Sequence, residues 1–395
     1  MRRFAHRRIH PRQLQHSDGI ERIQAGGKAK RVFNGLMALR SGLILFVSIL
    51  VAEASVRLTL PPRIYAVPGV EMNVFFGNTI LAEPGRKVSF ECECPIGEVK
   101  KDRWTLVAKD SQVGRYSFRL TVKDGGRVET AKATLVVSPR KADAEATIRM
   151  LLIGDSLTHA SQYPNEMARL LAQPGNPKWH MLGTHRPRAA KDGVRHEGYG
   201  GWTWVRFRTK FVPERPFPGK TNSSPFVFPD AKGKPRVDVA RYFANHCQGE
   251  VPDFINIMLG INDCFSAKPD APDERIDRMF REAELLLKDI RKAAPKAKIG
   301  ICLTTPGNSR DAAFFANYKD RYPRWGWQRI QHRLVEKQIE HFKDRAKENL
   351  FLVPTQLNLD VVDGYPPNNG VHPNPTGYAQ IGATIYSWMK AHLNY

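Results

Sequence analysis

The stretch Ile148-Arg-Met-Leu-Leu-Ile-Gly-Asp-Ser-Leu-Thr158 decides the fold of this chain of 395 residues. Its first six residues form a nearly continuous apolar run, which is typical of a strand buried on both faces of a sheet. Gly154 then permits a sharp turn. Ser156 follows at the start of a predicted helix, where free backbone N–H groups favour negative charge. A serine in that place can act as a nucleophile, although a simple helix cap explains the same residues equally well.

Three later apolar runs repeat this pattern, and helical patterns lie between them. The runs cover residues 254–259, 298–303 and 350–353. The apolar face of one helix consists of Ile276, Met279, Phe280, Ala283, Leu287 and Ile290, and that of the last helix of Tyr378, Ile381, Ile385, Trp388 and Met389. Alternation of strands and helices predicts an α/β domain over residues 148–395, with a parallel sheet covered on both faces. In such sheets the ligand site lies beyond the carboxyl ends of the strands.

Polar or flexible residues occupy that edge at three further places. The segment Gly260-Ile-Asn262-Asp263 follows the second run, where the Asn262 amide could donate to an oxyanion or form an Asx-turn. The loop Glu197-Gly-Tyr-Gly-Gly201-Trp-Thr203 permits a close approach of a backbone N–H, or is simply flexible. His372, in a loop before the last helix, could accept the serine's proton. Each feature alone has an ordinary structural explanation, but their common place on one sheet edge favours a catalytic site.

In this order, the four motifs resemble those of the SGNH/GDSL hydrolase family, over residues 148–395. The resemblance implies a flavodoxin-like three-layer α/β fold, hydrolysis of ester bonds and no cofactor. It also implies Ser156 as the nucleophile and His372 as the base. The implied oxyanion hole consists of the Ser156 and Gly201 amides and the Asn262 side chain. No metal-ligand spacing is present, so no metal site is expected.

Asn369 departs from the family pattern, which usually has aspartate three residues before the histidine. A neutral amide can orient an imidazole through its carbonyl oxygen, but it stabilises an imidazolium less than a carboxylate does. Asp360 or Asp363 could supply the charge from nearby in the sequence. The remaining alternative is a Ser–His dyad.

The substrate is less narrowly defined than the reaction. Exported members of the family with an extra β-module often resemble carbohydrate O-acetylesterases, and this is our first hypothesis. A lipase or thioesterase is the second, and a catalytically weak carbohydrate-binding protein is the third. Aromatic residues near the motifs could stack on sugars or belong to the core; they are Tyr199, Trp202, Trp204, Trp325 and Trp327.

Residues 55–140 predict a separate small all-β domain, with residues 141–147 as a linker. Residues 116–123 alternate strictly between polar and apolar, as a half-buried strand does. Several short strands separated by Gly, Pro and Asp are typical of a sandwich, and the composition resembles immunoglobulin-like modules.

Residues 1–54 predict a leader, with a signal peptide over residues 37–54. Arg40 precedes the short apolar run 42–52, and Ala52-Glu-Ala54 fits the cleavage pattern. A buried strand with a basic extension is the alternative. We therefore expect an exported protein, periplasmic or extracellular, without a membrane span after cleavage and acting on a small-molecule or polysaccharide ester; the oligomeric state stays open.

The composition excludes several other classes of protein. With 42% hydrophobic and 25% charged residues, the chain is not largely disordered. Five cysteines in a chain of this length do not make a disulfide scaffold. The net charge of +22 is spread along the chain, without zinc-finger spacing or an RNA-binding aromatic motif, so no nucleic-acid partner is expected.

Overall fold

The computed structural model describes residues 56–141, 145–215, 219 and 221–393. The expected leader, with its signal peptide over residues 37–54, lies outside the described residues, and so do residues 142–144 of the expected linker. These described residues form one compact unit. Within this unit, residues 56–141 form what we call the β-module, and an α/β domain follows.

The β-module consists of two sheets packed face to face. In chain order its strands are β1 (Arg63–Ala66), β2 (Glu71–Phe75), β3 (Ser89–Glu93), β4 (Glu98–Val99), β5 (Arg103–Val107), β6 (Gly114–Asp124) and β7 (Arg127–Val137). One sheet has the order β1-β7-β6-β3 and the other β2-β5-β4. All pairs are antiparallel except β1 with β7. Trp104 of one sheet meets Phe118 of the other edge to face, with ring centroids 5.3 Å apart. The predicted small β domain is confirmed, whereas its immunoglobulin-like type stays a prediction.

The α/β domain is built on a parallel sheet. Its strands are β8 (Thr147–Gly154), β9 (Lys178–Leu182), β10 (Glu197–Gly198), β13 (Phe254–Met258), β14 (Lys298–Cys302) and β15 (Leu350–Val353), and β11 (Val227–Pro229) with β12 (Pro235–Val237) forms a separate antiparallel pair. The order is β10-β8-β13-β14-β15, with β9 also on β8, and every pair is parallel. The four apolar runs are therefore adjacent strands, so the residues that follow them share one edge.

Helices cover both faces of this sheet. They are α1 (Ser156–His159), α2 (Gln162–Leu171), α3 (Trp204–Thr209), α4 (Val239–His246), α5 (Ile261–Cys264), α6 (Asp273–Ala293), α7 (Asp311–Tyr318), α8 (Arg324–Phe342) and α9 (Pro375–Lys390), with short 3-10 helices at Phe76–Thr79, Asp110–Gln112, Lys319–Arg321 and Ala346–Glu348. α2 packs against α9, whereas α6 packs against α3, α4, α5 and α8. The predicted apolar face of α6 is buried throughout. The three-layer α/β prediction is confirmed.

The β-module is joined to the α/β domain through the segment that follows β15. Leu357 of this segment is fully buried in the core of the β-module. Its carbonyl accepts from the Phe75 N–H at 3.0 Å, and the Asn358 side-chain oxygen accepts from the Asn73 N–H at 2.7 Å. The same segment leads directly into the loop that carries His372. The β-module therefore anchors the chain just ahead of that loop.

Candidate active site

Ser156 is the first residue of α1, directly beyond the end of β8. Gly154 is required before it, because a Cβ there would lie 1.9 Å from Oγ1 of Thr158. Asp155 caps the helix, since its Oδ1 accepts from the Leu157 N–H at 3.0 Å. The serine is thus presented at the carboxyl edge of the sheet.

His372 lies against Ser156, although the two are 216 residues apart in sequence. Its Nε2 is 2.9 Å from the Ser156 Oγ. The loop that carries it is held to α9 by Asn374, whose side chain accepts from the Gly377 N–H at 3.1 Å and donates to the Asp363 carbonyl at 2.7 Å. The structure therefore brings the expected nucleophile and the expected base into hydrogen-bond contact.

Asn369 occupies the orienting place beside His372. Its Oδ1 lies 3.1 Å from the His372 Nδ1, and it also accepts from the backbone N–H groups of His372 at 2.9 Å and Val371 at 3.2 Å. Because two backbone donors point at this atom, it must be the carbonyl oxygen and not the amide nitrogen. The imidazole therefore carries its hydrogen on Nδ1, and Nε2 is free to accept a proton from Ser156.

The carboxylates that the sequence offered as alternatives lie elsewhere. Oδ1 of Asp360 accepts from the N–H groups of Val362 and Asp363 in a local turn. Among the described contacts, neither Asp360 nor Asp363 bonds to the imidazole. Burial, without a compensating carboxylate, lowers the pKa of His372. Burial thus favours the neutral form of the imidazole.

The loop after β10 brings Gly201 to the same edge. The Tyr199 N–H donates to the Gly154 carbonyl at 3.1 Å, which ties this loop to the end of β8. Gly201 has a φ of 78°, a conformation that favours glycine. In the part of the chain that the structure describes, the N–H groups of Ser156 and Gly201 donate to no protein acceptor. Both are available to an oxyanion.

Asn262, in α5 just beyond β13, contacts both the turn after β8 and the loop after β10. Its Nδ2 lies 3.1 Å from the Trp202 carbonyl and 3.3 Å from Oδ2 of Asp155. Both amide hydrogens therefore have partners in this arrangement. Donation to an oxyanion would replace the longer of the two, the contact with Asp155.

The α/β domain matches a known protein family. The sequence profile of the GDSL-like Lipase/Acylhydrolase family matches residues 152–380, more than half of the chain. The chain belongs to this family. It is therefore a hydrolase that acts on ester bonds. A comparison with curated protein sequences finds no match.

Solved structures similar to this GDSL-like hydrolase include two bacterial esterases. A carbohydrate acetylesterase family member from Sinorhizobium meliloti is 16% identical, with 62% of this chain and 100% of that chain covered and a TM-score of 0.37. An aryl esterase of M. smegmatis is 14% identical, with 62% and 100% covered and a TM-score of 0.36.

Two carboxyl groups of this GDSL-like hydrolase lie next to Asn262: Asp155 is fully buried, and Asp263 is half-buried with its Oδ2 inaccessible. Burial raises the pKa of Asp155 to about 7. Burial, together with the charge of Asp155, raises the pKa of Asp263 to about 7 as well. Oδ1 of Asp263 accepts from the Trp204 N–H at 3.2 Å, while its buried Oδ2 has no partner. Asp155 lies in the sequence motif of Ser156, and Asp263 lies in that of Asn262. The motifs alone do not predict a raised pKa for either aspartate, because the shift depends on burial in the fold.

Glu197 fixes the loop that carries Gly201. The carboxylate is fully buried and accepts from the Thr184 N–H at 2.6 Å and from the Tyr242 hydroxyl at 2.7 Å. Burial raises its pKa. A charged residue inside a run of Gly and aromatic residues is the only sequence signal of this positioning role.

The aromatic residues singled out in the sequence do not form a sugar-binding surface. Tyr199, Trp202, Trp204 and Trp327 are each at most 2% exposed. Trp325 is half-buried. The core interpretation therefore holds for four of the five, because their rings pack into the interior of the α/β domain.

Proposed function

We propose that this protein is an exported serine esterase that hydrolyses carboxylic esters, acting on O-acetyl groups of a carbohydrate. The observation that carries the proposal is the 2.9 Å contact between the Ser156 Oγ and the His372 Nε2, with Asn369 orienting the imidazole. This is the arrangement of a nucleophile with its general base.

In the first half of the reaction, the Ser156 Oγ attacks the ester carbonyl and His372 takes its proton. The carbonyl oxygen becomes an oxyanion that the N–H groups of Ser156 and Gly201 and the Asn262 amide stabilise. The intermediate then expels the alcohol, which receives the proton from His372. That step leaves the acyl group on the Ser156 Oγ. In the second half, His372 takes a proton from a water molecule, whose oxygen attacks the acyl carbonyl. The bond to the Ser156 Oγ then breaks, the acid is released, and His372 returns the proton to Ser156.

Asn369 stabilises the imidazolium of His372 less than an aspartate would. The imidazolium that forms during attack gains a hydrogen bond from a neutral amide but no charge–charge attraction. Burial of His372 opposes the same charge. The base is therefore weaker than in a Ser-His-Asp site, and the reaction should favour esters with good leaving groups.

A carbohydrate ester fits the described residues better than a lipid. No long apolar segment that would form a lid is visible in the sequence, and half-buried aromatic rings lie beside the Asn262 loop. Half-buried aromatic rings could stack on the apolar faces of sugars. A lipase or thioesterase of the same family is the second candidate.

Covalent labelling with a fluorophosphonate tests the reaction class. Labelling of the wild type at Ser156, but not of Ser156→Ala, is expected for a serine esterase. Absence of labelling in the folded wild type would instead favour a carbohydrate-binding protein without activity. Acetate release from a panel of acetylated polysaccharides, set against a series of 4-nitrophenyl esters of increasing chain length, separates a carbohydrate esterase from a lipase.

Export is supported by the sequence of residues 37–54. Among the described residues, no helix combines the length and apolar character needed to cross a bilayer. N-terminal sequencing of the protein from its native host tests this part: a start near Ser55 is expected, and an intact residue 1 in a cytoplasmic fraction would contradict it.

A further inference from the structure

An open groove lies on the β-module. Its volume is about 840 Å³, and all of the residues that line it lie between positions 62 and 134. We call this cavity the sheet groove. Its charged, serine and threonine residues are Glu93, Arg115, Ser117, Arg119, Lys132 and Thr134. The proposed ester chemistry gives these residues no role, so the sheet groove is a candidate for a second binding site.

The pairing of β6 with β7 places the polar residues of the sheet groove on one face of the sheet. Arg115, Ser117 and Arg119 alternate with inward residues along β6, so they share a face, and all three are exposed. On β7, Lys132 stands directly opposite Arg119, and Thr134 stands opposite Ser117. Residues that oppose one another across an antiparallel pair lie on the same side of the sheet. Three cations and two hydroxyl groups therefore face the same space.

The protein balances only part of this charge. Glu93, on β3, is the partner of Arg119 across the strands, and its Oε1 lies 3.6 Å from Nη1 of that arginine. Within the described ranges, no carboxylate forms an ion pair with Arg115 or Lys132. A ligand in the sheet groove therefore meets two cations without a counter-charge, which favour an anion.

The hydroxyl groups between the cations are also free to bind a ligand. In the part of the chain that the structure describes, the hydroxyls of Ser117 and Thr134 form no hydrogen bond with protein. Each can donate one hydrogen bond and accept others. The sheet groove thus combines sites for an anion with sites for the hydroxyl groups of the same ligand.

The aromatic residues of the lining argue against a nucleic acid. Tyr116 and Phe118 lie on the opposite, inward side of β6 and pack against the core of the β-module. Proteins that bind single strands without sequence preference stack the bases on exposed aromatic rings, and the outward residues of the sheet groove supply none. A groove along a sheet also suits a polymer chain better than the surface of a bilayer.

We propose that the sheet groove binds a polysaccharide of uronic acids, whose carboxylates pair with Arg115 and Lys132 and whose hydroxyls bond to Ser117 and Thr134. The planar fork of an arginine matches a carboxylate. A uronic acid carries its charge on C6 and keeps its ring hydroxyls, whereas sulfation consumes hydroxyls. The site goes beyond the proposed esterase function, and binding there does not require ester hydrolysis.

The experiment measures binding of the full chain to an oligogalacturonate without ester groups by isothermal titration calorimetry. The matched ligand is the same oligomer with its carboxyl groups reduced to alcohols, which keeps the sugar linkages and removes the charge. The reduced form should bind at least about tenfold more weakly, because a charge-assisted hydrogen bond has about that effect. Affinity for the charged form should fall between about 0.01 M and about 0.1 M salt, over which the screening length shortens from about 30 Å to about 10 Å.

Matched variants locate the binding site. Arg115→Gln and Lys132→Gln should each raise the Kd for the oligogalacturonate about tenfold. Arg281→Gln, on α6 of the α/β domain, and Lys101→Gln, between β4 and β5, remove exposed cations outside the sheet groove and should leave the Kd unchanged. All four variants should keep the wild-type Tm and the wild-type rate on 4-nitrophenyl acetate.

Equal affinity for the charged and reduced oligomers would overturn the proposal, as would a Kd that Arg115→Gln and Lys132→Gln do not change. Tighter binding of dextran sulfate, single-stranded RNA or phosphatidylserine vesicles, lost in the same two variants, would overturn the uronic acid as the occupant. A protein that binds the oligogalacturonate in the sheet groove but takes no fluorophosphonate label would instead overturn the esterase function. The two failures are therefore distinguishable.

Discussion

The side-chain oxygen of Asn369 lies 3.1 Å from the Nδ1 of His372, in the place where a Ser-His-Asp hydrolase has a carboxylate. The same oxygen accepts two backbone N–H groups of its own loop. The amide therefore sets the tautomer and the direction of the imidazole, as an aspartate does, but supplies no negative charge. Orientation and charge stabilisation, which a carboxylate combines, are separated in this site.

Replacing Asn369 with Asp should restore the missing charge. A carboxylate at that place favours the imidazolium and raises the pKa of His372. The rising limb of the profile of kcat/KM against pH should move upward by about one pH unit, and kcat above that limb should increase. Asp360→Asn and Asp363→Asn serve as controls, and a displacement of the limb in either would mean that one of them orients His372.

Removal of the Ser156 hydroxyl should abolish ester hydrolysis without unfolding the protein. We expect Ser156→Ala to lower kcat by roughly a thousandfold or more, since the nucleophile acts as a unit with its base. Circular dichroism and the Tm report the fold. Near-normal turnover in a folded variant would show that another residue is the nucleophile.

Removal of the Asn262 amide should lower kcat with little change in KM. An oxyanion donor acts mainly when charge develops, and its loss costs about 3 kcal/mol. Steady-state kinetics on a chromogenic acetate ester measures both constants. If KM alone rises, Asn262 binds the substrate in its ground state and is not an oxyanion donor.

The stability of the protein should depend on pH through the Asp263 carboxyl. The pKa of this carboxyl is raised to about 7 in the folded protein and lies near 4 in the unfolded chain. The protonated carboxyl therefore contributes its full stabilisation below pH 4, and this contribution is lost as the pH rises towards 7. The Asp263→Asn variant cannot ionise at this position. The free energy of unfolding of the variant should therefore rise, relative to that of the wild type, between pH 5 and pH 8. The gain should be a few kcal/mol, because a tenfold change in a proton-binding constant corresponds to about 1.4 kcal/mol. Urea unfolding at the two pH values measures it.

The fully exposed carboxylate of Asp192 provides the comparison for that experiment. Asp192→Asn should differ from the wild type by the same small amount at both pH values. A constant difference for Asp263→Asn too would show that Asp263 is ionised in the fold throughout this range.

Asn358 should couple the β-module to catalysis. Its Oδ1 accepts from the Asn73 N–H, and its Nδ2 donates to the Gln380 carbonyl and the Thr384 hydroxyl of α9, each at 3.1 Å. Asn358→Ala leaves the buried Asn73 N–H without a partner, at a cost of about 1–3 kcal/mol. Since the segment leads into the His372 loop, kcat should fall severalfold, even where the variant is folded.

A hydrogen bond elsewhere in the β-module provides the matched control. Thr121→Val removes the 2.9 Å contact with Thr130 on the neighbouring strand, away from the α/β domain. It should lower the Tm but not kcat at temperatures where the protein is folded. If Asn358→Ala behaves in the same way, the β-module stabilises the chain without positioning the base.

The sequence by itself determined the parallel sheet and the candidates that follow its strands. Strands buried on both faces must be nearly continuous apolar runs, so residues 148–153 and 254–259 are recognisable without a structure. The strands β9 and β10 are not, because β9 is partly exposed and β10 contains two residues. Ser156, Asn262 and His372 could be selected because each follows a recognisable element on one edge.

Only the tertiary structure decided which side chain orients His372. Asn369, Asp360 and Asp363 all precede the histidine in one loop, and their spacing does not distinguish them. Asn358 bonds to both α9 and the β-module, and in the loop beyond it the Asp360 carboxylate is engaged in a local turn while the Asn369 oxygen meets the imidazole. In the same way, burial and not sequence decided that the motif tryptophans belong to the core, because a ring beside a site can face either way until its loop is packed.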